Sequence, residues 1–270
     1  MLIRKGIGKI IAGIAVILIV IMVSLVYLRL PSNWKEKVLF PISFPKAPTS
    51  AVTNSNENSV FSEKIWLHRV NSIERANIMA EKYKGLEMDI YWDMDSARFY
   101  VTHISPAPEL SLPLSKMIDG IKNIREQYLW FDFKNLNEEN AEPALEYLLK
   151  LNINRANTIV ESGNPLLLSG FSAAGFATSY YLPIFNPYIV SENEIIDYAK
   201  KIDTALKNSN VNYISSDYVS YRFIKKYFPD SEILLWHLED NRLKPFVRKK
   251  LARDKNVKVI LVYEYSEGYR

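Results

Sequence analysis

The chain has 270 residues, of which 48% are hydrophobic and 24% charged, with a net charge of +4. This composition is globular, and the length suits one large domain or two small ones. The basic residues are scattered without a stripe of interleaved aromatics, so nothing supports nucleic-acid binding. The chain contains no cysteine, which excludes disulfides and thiolate chemistry without fixing the compartment.

The N-terminus combines a basic flank, residues 1–9, with an uncharged apolar run from Ile10 to Leu28. A helix rises about 1.5 Å per residue, so this run is long enough to cross a bilayer core. A cleaved signal peptide has a shorter apolar region and a small-residue cleavage site. We therefore predict an uncleaved transmembrane anchor at 10–28, with a cleaved signal or a buried helix as alternatives. The positive-inside rule weakly favours a single-pass protein with an extracytoplasmic body.

Residues 29–62 read as a stalk between this anchor and a domain at 63–270. The segment holds several prolines and the polar tract TSAVTNSNENS, a composition typical of linkers. The piece FPISFP within it could instead pack on the domain.

From Glu63 onward, apolar runs of strand length alternate with helical patterns. The predicted strands are KIWLH, GLEMDIYWD, YLWFDFK, ANTIVES, FATSYYL, VNYISSD, EILLWHL and VKVILVYEY, and RFYVTH is a short extra strand after the second. Helices are predicted at IERANIMAEKY, LSKMIDGIKNI, NEENAEPALEYLLKL, ENEIIDYAKKIDTALKN, YRFIKKYF and LKPFVRKKLA. Ser72 is placed to cap the first of these helices.

Alternating strands and helices favour a parallel sheet of the α/β class. Eight such strands within roughly 205 residues favour a small (β/α)8 TIM barrel over an open sheet. The connection between the fourth and fifth strands is the least regular part of this pattern.

Polar residues at the ends of the early strands suggest a site, because TIM-barrel sites lie where strand C-termini meet the loops. The first strand ends in His68 and Arg69, and the second carries Glu87 and Asp89. Residues two apart on a strand share a face, so these two carboxylates point together into the barrel. Two buried like charges repel each other, and a bound divalent cation would relieve that repulsion.

The third strand repeats the arrangement with Asp132 and Lys134. Asp132 is a candidate third oxygen ligand, and three carboxylates suit Mg²⁺ or Ca²⁺. Lys134 would place a positive charge beside the ion, where a phosphate oxygen would bind, although an ion pair without metal is an alternative. His103 lies in the loop between the second and third strands.

A metal, two cationic side chains and two imidazoles can together cleave a phosphodiester. The cations stabilise charge on the phosphoryl oxygens. One histidine would accept a proton from the nucleophile or itself attack, and the other would protonate the leaving oxygen. His68 and His103 are the predicted pair.

The order His68-Arg69, Glu87-x-Asp89, His103 and Asp132-x-Lys134 resembles the phospholipase-C-like phosphodiesterase barrels, which include the glycerophosphodiester phosphodiesterases. The opening HRVNSI and the Asp-x-Lys pair are closer to the sphingomyelinase-D-like and menorin-like members. Val70 departs from the glycine common in glycerophosphodiesterases, and the segment around His103 is short.

The resemblance implies a Mg²⁺- or Ca²⁺-dependent phosphodiesterase acting on glycerophosphodiesters or lysophospholipids. It makes His68 and His103 the acid/base pair. It assigns the metal to the acidic residues Glu87, Asp89 and Asp132, and phosphate or substrate contact to Arg69, Lys134 and Trp236. For Arg69 a structural ion pair is an equal alternative. For Trp236 the alternative is a position in the core.

Other interpretations of the sequence remain. Glu161 ends the fourth strand within reach of the site but is not assigned to it, and His237 is interpreted as structural. The barrel could be a non-catalytic, menorin-like module that binds a ligand or partner. A glycosidase is disfavoured, since residues two apart on one strand are too close to bracket a glycosidic bond.

Overall fold

The computed structural model describes residues 44–54, 61–104, 111–238 and 245–264. The predicted membrane anchor at 10–28 lies outside these ranges, so its conformation is not described. Within them, no helix combines the length and apolar character needed to cross a bilayer.

Eight parallel strands among the described residues close into a barrel, because the first strand pairs with both the second and the last. This confirms the predicted TIM barrel. The barrel strands are β1 Ile65–Leu67, β2 Gly85–Asp93, β5 Tyr128–Phe133, β6 Thr158–Ser162, β7 Ala177–Tyr181, β8 Tyr213–Asp217, β9 Ile233–Trp236 and β10 Val257–Val262.

An antiparallel extension projects from the outer edge of β2. Strand β3, Arg98–Val101, pairs with the C-terminal half of β2, and the short β4, Leu112–Pro113, pairs with β3. The extra strand after β2 was predicted, whereas β4 was not. The extension carries the chain past the barrel mouth, where His103 follows β3.

Helices surround the barrel as α1 Ile73–Met79, α2 Leu114–Gly120, α3 Ala141–Leu149, α4 Ser169–Ala173, α5 Glu192–Lys207, α6 Tyr221–Tyr227 and α7 Pro245–Ala252. The Ser72 hydroxyl accepts the Arg75 N–H at 3.3 Å and caps α1 as predicted. Helix α4 was not predicted. It is short and follows the 3₁₀ turn Pro165–Leu168, so it shows little of the periodicity that identifies longer helices.

The barrel interior is apolar near the strand N-termini. Its packed residues are Trp66, Trp130, Ile159, Ala177, Tyr213, Leu234, Trp236, Val259 and Leu261. Gly85 is required beside this core, because a Cβ atom there would lie 2.0 Å from the Trp66 ring. Phe61 packs edge-on against Trp66 at 4.8 Å and covers this end of the core.

Residues 44–54, part of the range predicted as stalk, pack along the outer wall of the barrel. Phe44 lies 5.9 Å from the Tyr188 ring in the loop after β7. The backbone N–H groups of Ser50 and Ala51 donate to the Asp203 carboxylate on α5, each at 2.8 Å. The FPISFP piece therefore contributes at least Phe44 to the packing of the domain. The remaining domain boundaries stay predictions.

Candidate functional site

The inward face of several strands changes from apolar to polar over two residues. Trp66 is followed on its face by His68, and Trp130 by Asp132. On β6 and β7 the same step leads from Ile159 to Glu161 and from Ala177 to Ser179. The strand register aligns these polar residues, since Asp132 pairs with both Asp89 and Glu161. A polar layer therefore lies above the apolar core at the C-terminal end of the barrel.

A cavity of about 170 Å³ opens on this layer. All eight residues that the sequence assigned to the site line it: His68, Arg69, Glu87, Asp89, His103, Asp132, Lys134 and Trp236. The structure thus brings together the two imidazoles, the three carboxylates and the two cationic side chains. Their chemical roles stay predictions.

The three carboxylates form a compact acidic cluster. Glu87, Asp89 and Asp132 each contribute an oxygen atom, and these atoms lie within 4.8 Å of one another. Oε1 of Glu87 is buried and accepts no hydrogen bond from any residue that the structure describes. A buried carboxylate oxygen without a donor is costly unless a cation binds it. Three converging oxygen donors with such an atom among them fit a hard divalent cation.

Lys134 already supplies one positive charge to this cluster. Its ammonium lies 2.7 Å from Oδ1 of Asp89 and also contacts the Asp132 carboxylate. Burial alone lowers the pKa of Lys134, but Asp132 and Asp89 outweigh it and hold that pKa above its usual value. One ammonium among three carboxylates leaves net negative charge, which favours a further cation.

The pKa values of Asp89 and Glu87 shift in opposite directions, although both side chains lie on the same face of β2. Burial raises the pKa of Asp89, but hydrogen bonds from His103, Lys134 and Asn71 outweigh burial and hold it well below its usual range. Burial and the nearby carboxylates Asp89 and Asp132 raise the pKa of Glu87. Glu87 therefore holds a proton more readily than Asp89.

His68 lies beside Glu87, with 3.5 Å between its Nε2 and Oε2 of the carboxylate, and its side chain is 12% exposed. Its ring packs against Tyr263 with centroids 4.5 Å apart. Burial lowers the pKa of His68 to about 3, because it disfavours the charged imidazolium more than Asp89 stabilises it. The imidazole is thus neutral at ordinary pH.

His103 has a different environment from His68. Its side chain is 53% exposed, and Nδ1 lies 3.0 Å from Oδ1 of Asp89. A carboxylate accepts hydrogen bonds, so Nδ1 carries the hydrogen and Nε2 is left to exchange a proton with a ligand. The different exposures of His68 and His103 suit the two histidines to different roles in proton transfer.

Arg69 contributes through its backbone as well as its side chain. Its φ of 55° is left-handed, a strained region for a residue other than glycine. This conformation directs the Arg69 N–H to Oε2 of Glu87 at 2.6 Å. The guanidinium carbon lies 5.9 Å from the centroid of the Tyr263 ring. The backbone therefore positions Glu87, while the guanidinium lines the cavity.

Trp236 stacks on Tyr181, with ring centroids 5.5 Å apart and an interplanar angle of 4°. It is buried, and its ring belongs to the barrel core while also lining the cavity. The core and substrate-facing interpretations of Trp236 are thus compatible.

Sequence reasoning left several residues out of the site, including three polar ones. Asn71 donates from Nδ2 to Oδ2 of Asp89 at 3.0 Å, and it was visible as the asparagine of the His-x-x-Asn opening. Glu161 accepts the Ser179 hydroxyl at 2.8 Å, and its place two residues after Ile159 was the available signal. His237, interpreted as structural, lines the cavity because β9 ends at Trp236 and the alternation of faces stops there.

Comparisons with known proteins show the fold without close sequence relatives. No protein family and no curated protein matches the sequence. A glycerophosphodiester phosphodiesterase from Parabacteroides distasonis is similar with a TM-score of 0.54 and 14% identity, over 74% of this chain and 92% of that one. A candidate enzyme of the same kind from Galdieria sulphuraria has a TM-score of 0.53 and 11% identity, over 76% and 94%. The predicted resemblance is confirmed at the level of the fold.

Proposed function

We propose that this chain, whose barrel has the fold of the glycerophosphodiester phosphodiesterases of the phospholipase-C-like superfamily, is itself a phosphodiesterase. In this proposal it depends on a divalent metal and cleaves a glycerophosphodiester or a lysophospholipid. The observation that carries the proposal is the pairing of each imidazole with a carboxylate of one acidic cluster. His68 contacts Glu87, and His103 contacts Asp89.

The acidic cluster provides the place for the metal. Glu87, Asp89 and Asp132 would hold Mg²⁺ or Ca²⁺, since all their donors are carboxylate oxygens. When bound, such an ion stabilises negative charge on phosphoryl oxygens as a Lewis acid. Titration of the chain with Mg²⁺ and with Ca²⁺ would show which ion binds more tightly.

The cationic side chains orient the phosphate. Lys134 is held between Asp89 and Asp132, so its position is fixed before substrate binds. Arg69 lines the same cavity. Together they attract an anionic diester and stabilise the charge that develops on its oxygens.

The two histidines divide the proton transfers. His68, which is neutral before substrate binds, accepts the proton of the attacking hydroxyl or water, and the bound phosphodiester anion stabilises the imidazolium that forms. His103, held through Nδ1 by Asp89, donates a proton from Nε2 to the leaving oxygen. This assignment makes hydrolysis and cyclic-phosphate formation alternatives that differ only in which hydroxyl attacks.

The proposed location is a membrane, with the domain outside the cytoplasm and anchored by the apolar run at 10–28. Its support is the length and uncharged composition of that run. Extraction of native membranes with alkaline carbonate would leave an anchored chain in the pellet. Release of the chain into the supernatant would contradict the anchor. If protease added to intact cells left the domain uncut, the proposed orientation would be contradicted.

The experiment that tests the activity uses the full chain in mild detergent with a panel of glycerophosphodiesters and lysophospholipids. We expect turnover that EDTA abolishes and added Mg²⁺ or Ca²⁺ restores. His68→Ala should keep the melting temperature and lose roughly 10²–10⁴-fold in rate. Metal binding to the cluster without turnover of any substrate would instead favour a ligand-binding barrel of the menorin-like kind.

A further inference from the structure

Four large aliphatic side chains are exposed in loops at the C-terminal end of the barrel, the end at which the cavity opens. Ile104 is 62% exposed, Ile184 66%, Ile189 65% and Leu238 44%. They come from three different loops at the C-terminal end of the barrel: the one after β3, the one after β7 and the one after β9. We call these four residues the apolar rim.

The apolar rim adjoins the proposed chemistry directly. Ile184 and Leu238 line the cavity, and Ile104 follows His103 in the chain. Single exposed aliphatic residues are normal on a soluble surface, whereas several around one functional opening indicate an interaction site. The partner of this surface must therefore be apolar where it meets the site.

The chain enters the domain at the same end as the rim. Phe44 packs on Tyr188, in the loop that carries Ile184 and Ile189. From there the segment runs to the opposite end of the barrel, where the Thr53 hydroxyl accepts the Glu232 N–H at 2.9 Å just before β9. The sequence upstream of Phe44 is thus attached at the mouth end.

The upstream sequence contains the apolar run Ile10 to Leu28. Residues 29–43 separate that run from Phe44 and reach at most about 50 Å when fully extended. A bilayer holding the run is therefore within reach of the domain. This supplies a specific apolar partner for the rim.

The size of the cavity points to the same partner. At about 170 Å³ it is smaller than the pockets of roughly 300–1,000 Å³ that enclose drug-sized ligands. It accommodates a phosphate with one small group, and the rest of a larger substrate must extend past the rim. An acyl chain leaving the cavity would meet aliphatic side chains there.

We propose that the apolar rim docks on the surface of a lipid bilayer and that the substrate is a lipid phosphodiester, such as a lysophospholipid, drawn from that bilayer. The choice of substrate rests on the function proposed above, but the docking does not. Entry of aliphatic side chains into the interfacial region of a bilayer lowers the free energy, because water is released from their surface.

Docking can be tested without any activity, because the chain lacks cysteine and a single introduced thiol labels one site. Leu238→Cys and Leu149→Cys form a matched pair, since these leucines are 44% and 43% exposed. Leu149 ends α3, at the opposite end of the barrel. Each full-length variant would carry an environment-sensitive dye and be placed in nanodiscs of phosphatidylcholine holding one chain each.

The Leu238 label should shift to shorter emission wavelength and be quenched by lipids bearing a spin label on the acyl chain. The Leu149 label should show neither change. Equal behaviour of the two labels would overturn the proposal. Shielding of the Leu238 label only when two chains share a disc would identify a second copy as the partner and would also overturn it.

Turnover gives a second, separate measurement. Ile189→Ser should lower the rate on lysophospholipid in vesicles by roughly tenfold, the effect of removing one buried aliphatic contact, and leave a soluble glycerophosphodiester unaffected. Ile78→Ser, on α1 and 57% exposed, is the control and should change neither rate. Equal losses on both substrates would contradict the lipid assignment. Absence of all turnover in the unmodified chain would reject the proposed function, while the labels would still decide the docking.

Discussion

His103 Nδ1 lies 3.0 Å from Asp89 Oδ1, so a residue carried by the antiparallel extension is held by a carboxylate of the barrel wall. The extension continues β2, the strand on which Asp89 itself lies. One strand therefore supplies both the proposed metal ligand and the support for the proposed acid. A displacement of β3 relative to β2 would therefore disturb the contact between His103 and Asp89.

The division of proton transfers predicts a dependence on the leaving group. His103→Ala should lose at least about 10²-fold on a glycerophosphodiester, whose alkoxide leaving group needs protonation. With a p-nitrophenyl phosphodiester the loss should be much smaller, because that leaving group departs without a proton. Steady-state rates on the two substrates check this.

His68→Ala is the matched control for that experiment, since a missing base slows attack on both substrates alike. The half-exposed side chain of His103 also predicts little loss of stability, which thermal melting checks. If both variants lost the same factor on both substrates, His103 would not be the acid.

Asn71 is expected to strengthen metal binding although it is not a proposed ligand. Its amide donates to Oδ2 of Asp89, and its carbonyl oxygen accepts the Asp89 N–H at 3.3 Å. Loss of such a supporting contact weakens metal affinity by roughly 10–100-fold. Asn71→Ala should show this in calorimetric titration with Mg²⁺ or Ca²⁺.

The control is Asn77→Ala, because Asn77 is half-buried like Asn71 but donates to the Gly120 carbonyl on the outside of the barrel. It should bind metal as the unmodified chain does. Equal affinities for all three proteins would exclude the supporting role of Asn71.

Metal binding should release protons from Glu87. Burial and two neighbouring carboxylates raise its pKa, so above the usual glutamate range this carboxyl still holds a proton that a cation must displace. Binding should release up to about one proton per ion and tighten as pH rises through this window. Calorimetry in buffers of different ionisation enthalpy measures the number.

Glu87→Gln should abolish both the proton release and most of the affinity, because an amide has no proton to give up. A binding heat that is the same in every buffer would show that Glu87 is already ionised, contrary to this prediction.

Glu161 should make the metal-free protein less stable as pH rises. Burial and the nearby Asp132 raise the pKa of Glu161 to about 8, whereas in an unfolded chain it titrates near its usual value of about 4.3. The folded state therefore binds the extra proton between these values, and stability falls with increasing pH across that window.

Glu161→Gln stays neutral, so its stability relative to the unmodified chain should improve from pH 5 to pH 8. The gain should not exceed about 1.4 kcal/mol per pH unit. Denaturant unfolding at several pH values measures it, with exposed Glu138→Gln as the control. A constant difference across the range would show that Glu161 is already charged when buried.

Much of the barrel and its polar layer follows from strand periodicity alone. Glu87 and Asp89 are two apart on β2, Asp132 and Lys134 are two apart where β5 ends at Phe133, and all four line the same cavity. Period two fixes which face a residue occupies wherever a strand is regular. The prediction of eight site residues depended on that regularity and on the order of the motifs.

The features that sequence reasoning missed lie where regularity ends. Asn71 reaches Asp89 from the loop before α1, and loop conformation has no period to read. His237 follows the last residue of β9, so alternation assigned it to the wrong face. Packing of the FPISFP piece on the domain was only an alternative to the predicted stalk, because the contact of Phe44 with Tyr188 joins residues far apart in the chain and has no local signal.

The left-handed backbone at Arg69 lowers the stability of the fold, while the side chain of the same residue lines the cavity. Relief of this strain by Arg69→Gly is expected to gain up to about 1–2 kcal/mol, while the amide that positions Glu87 would be retained. The same change would delete the guanidinium from the cavity. A more heat-resistant chain with a weakened anion-binding cavity is therefore one substitution away, and selection for thermal tolerance alone would be expected to find it.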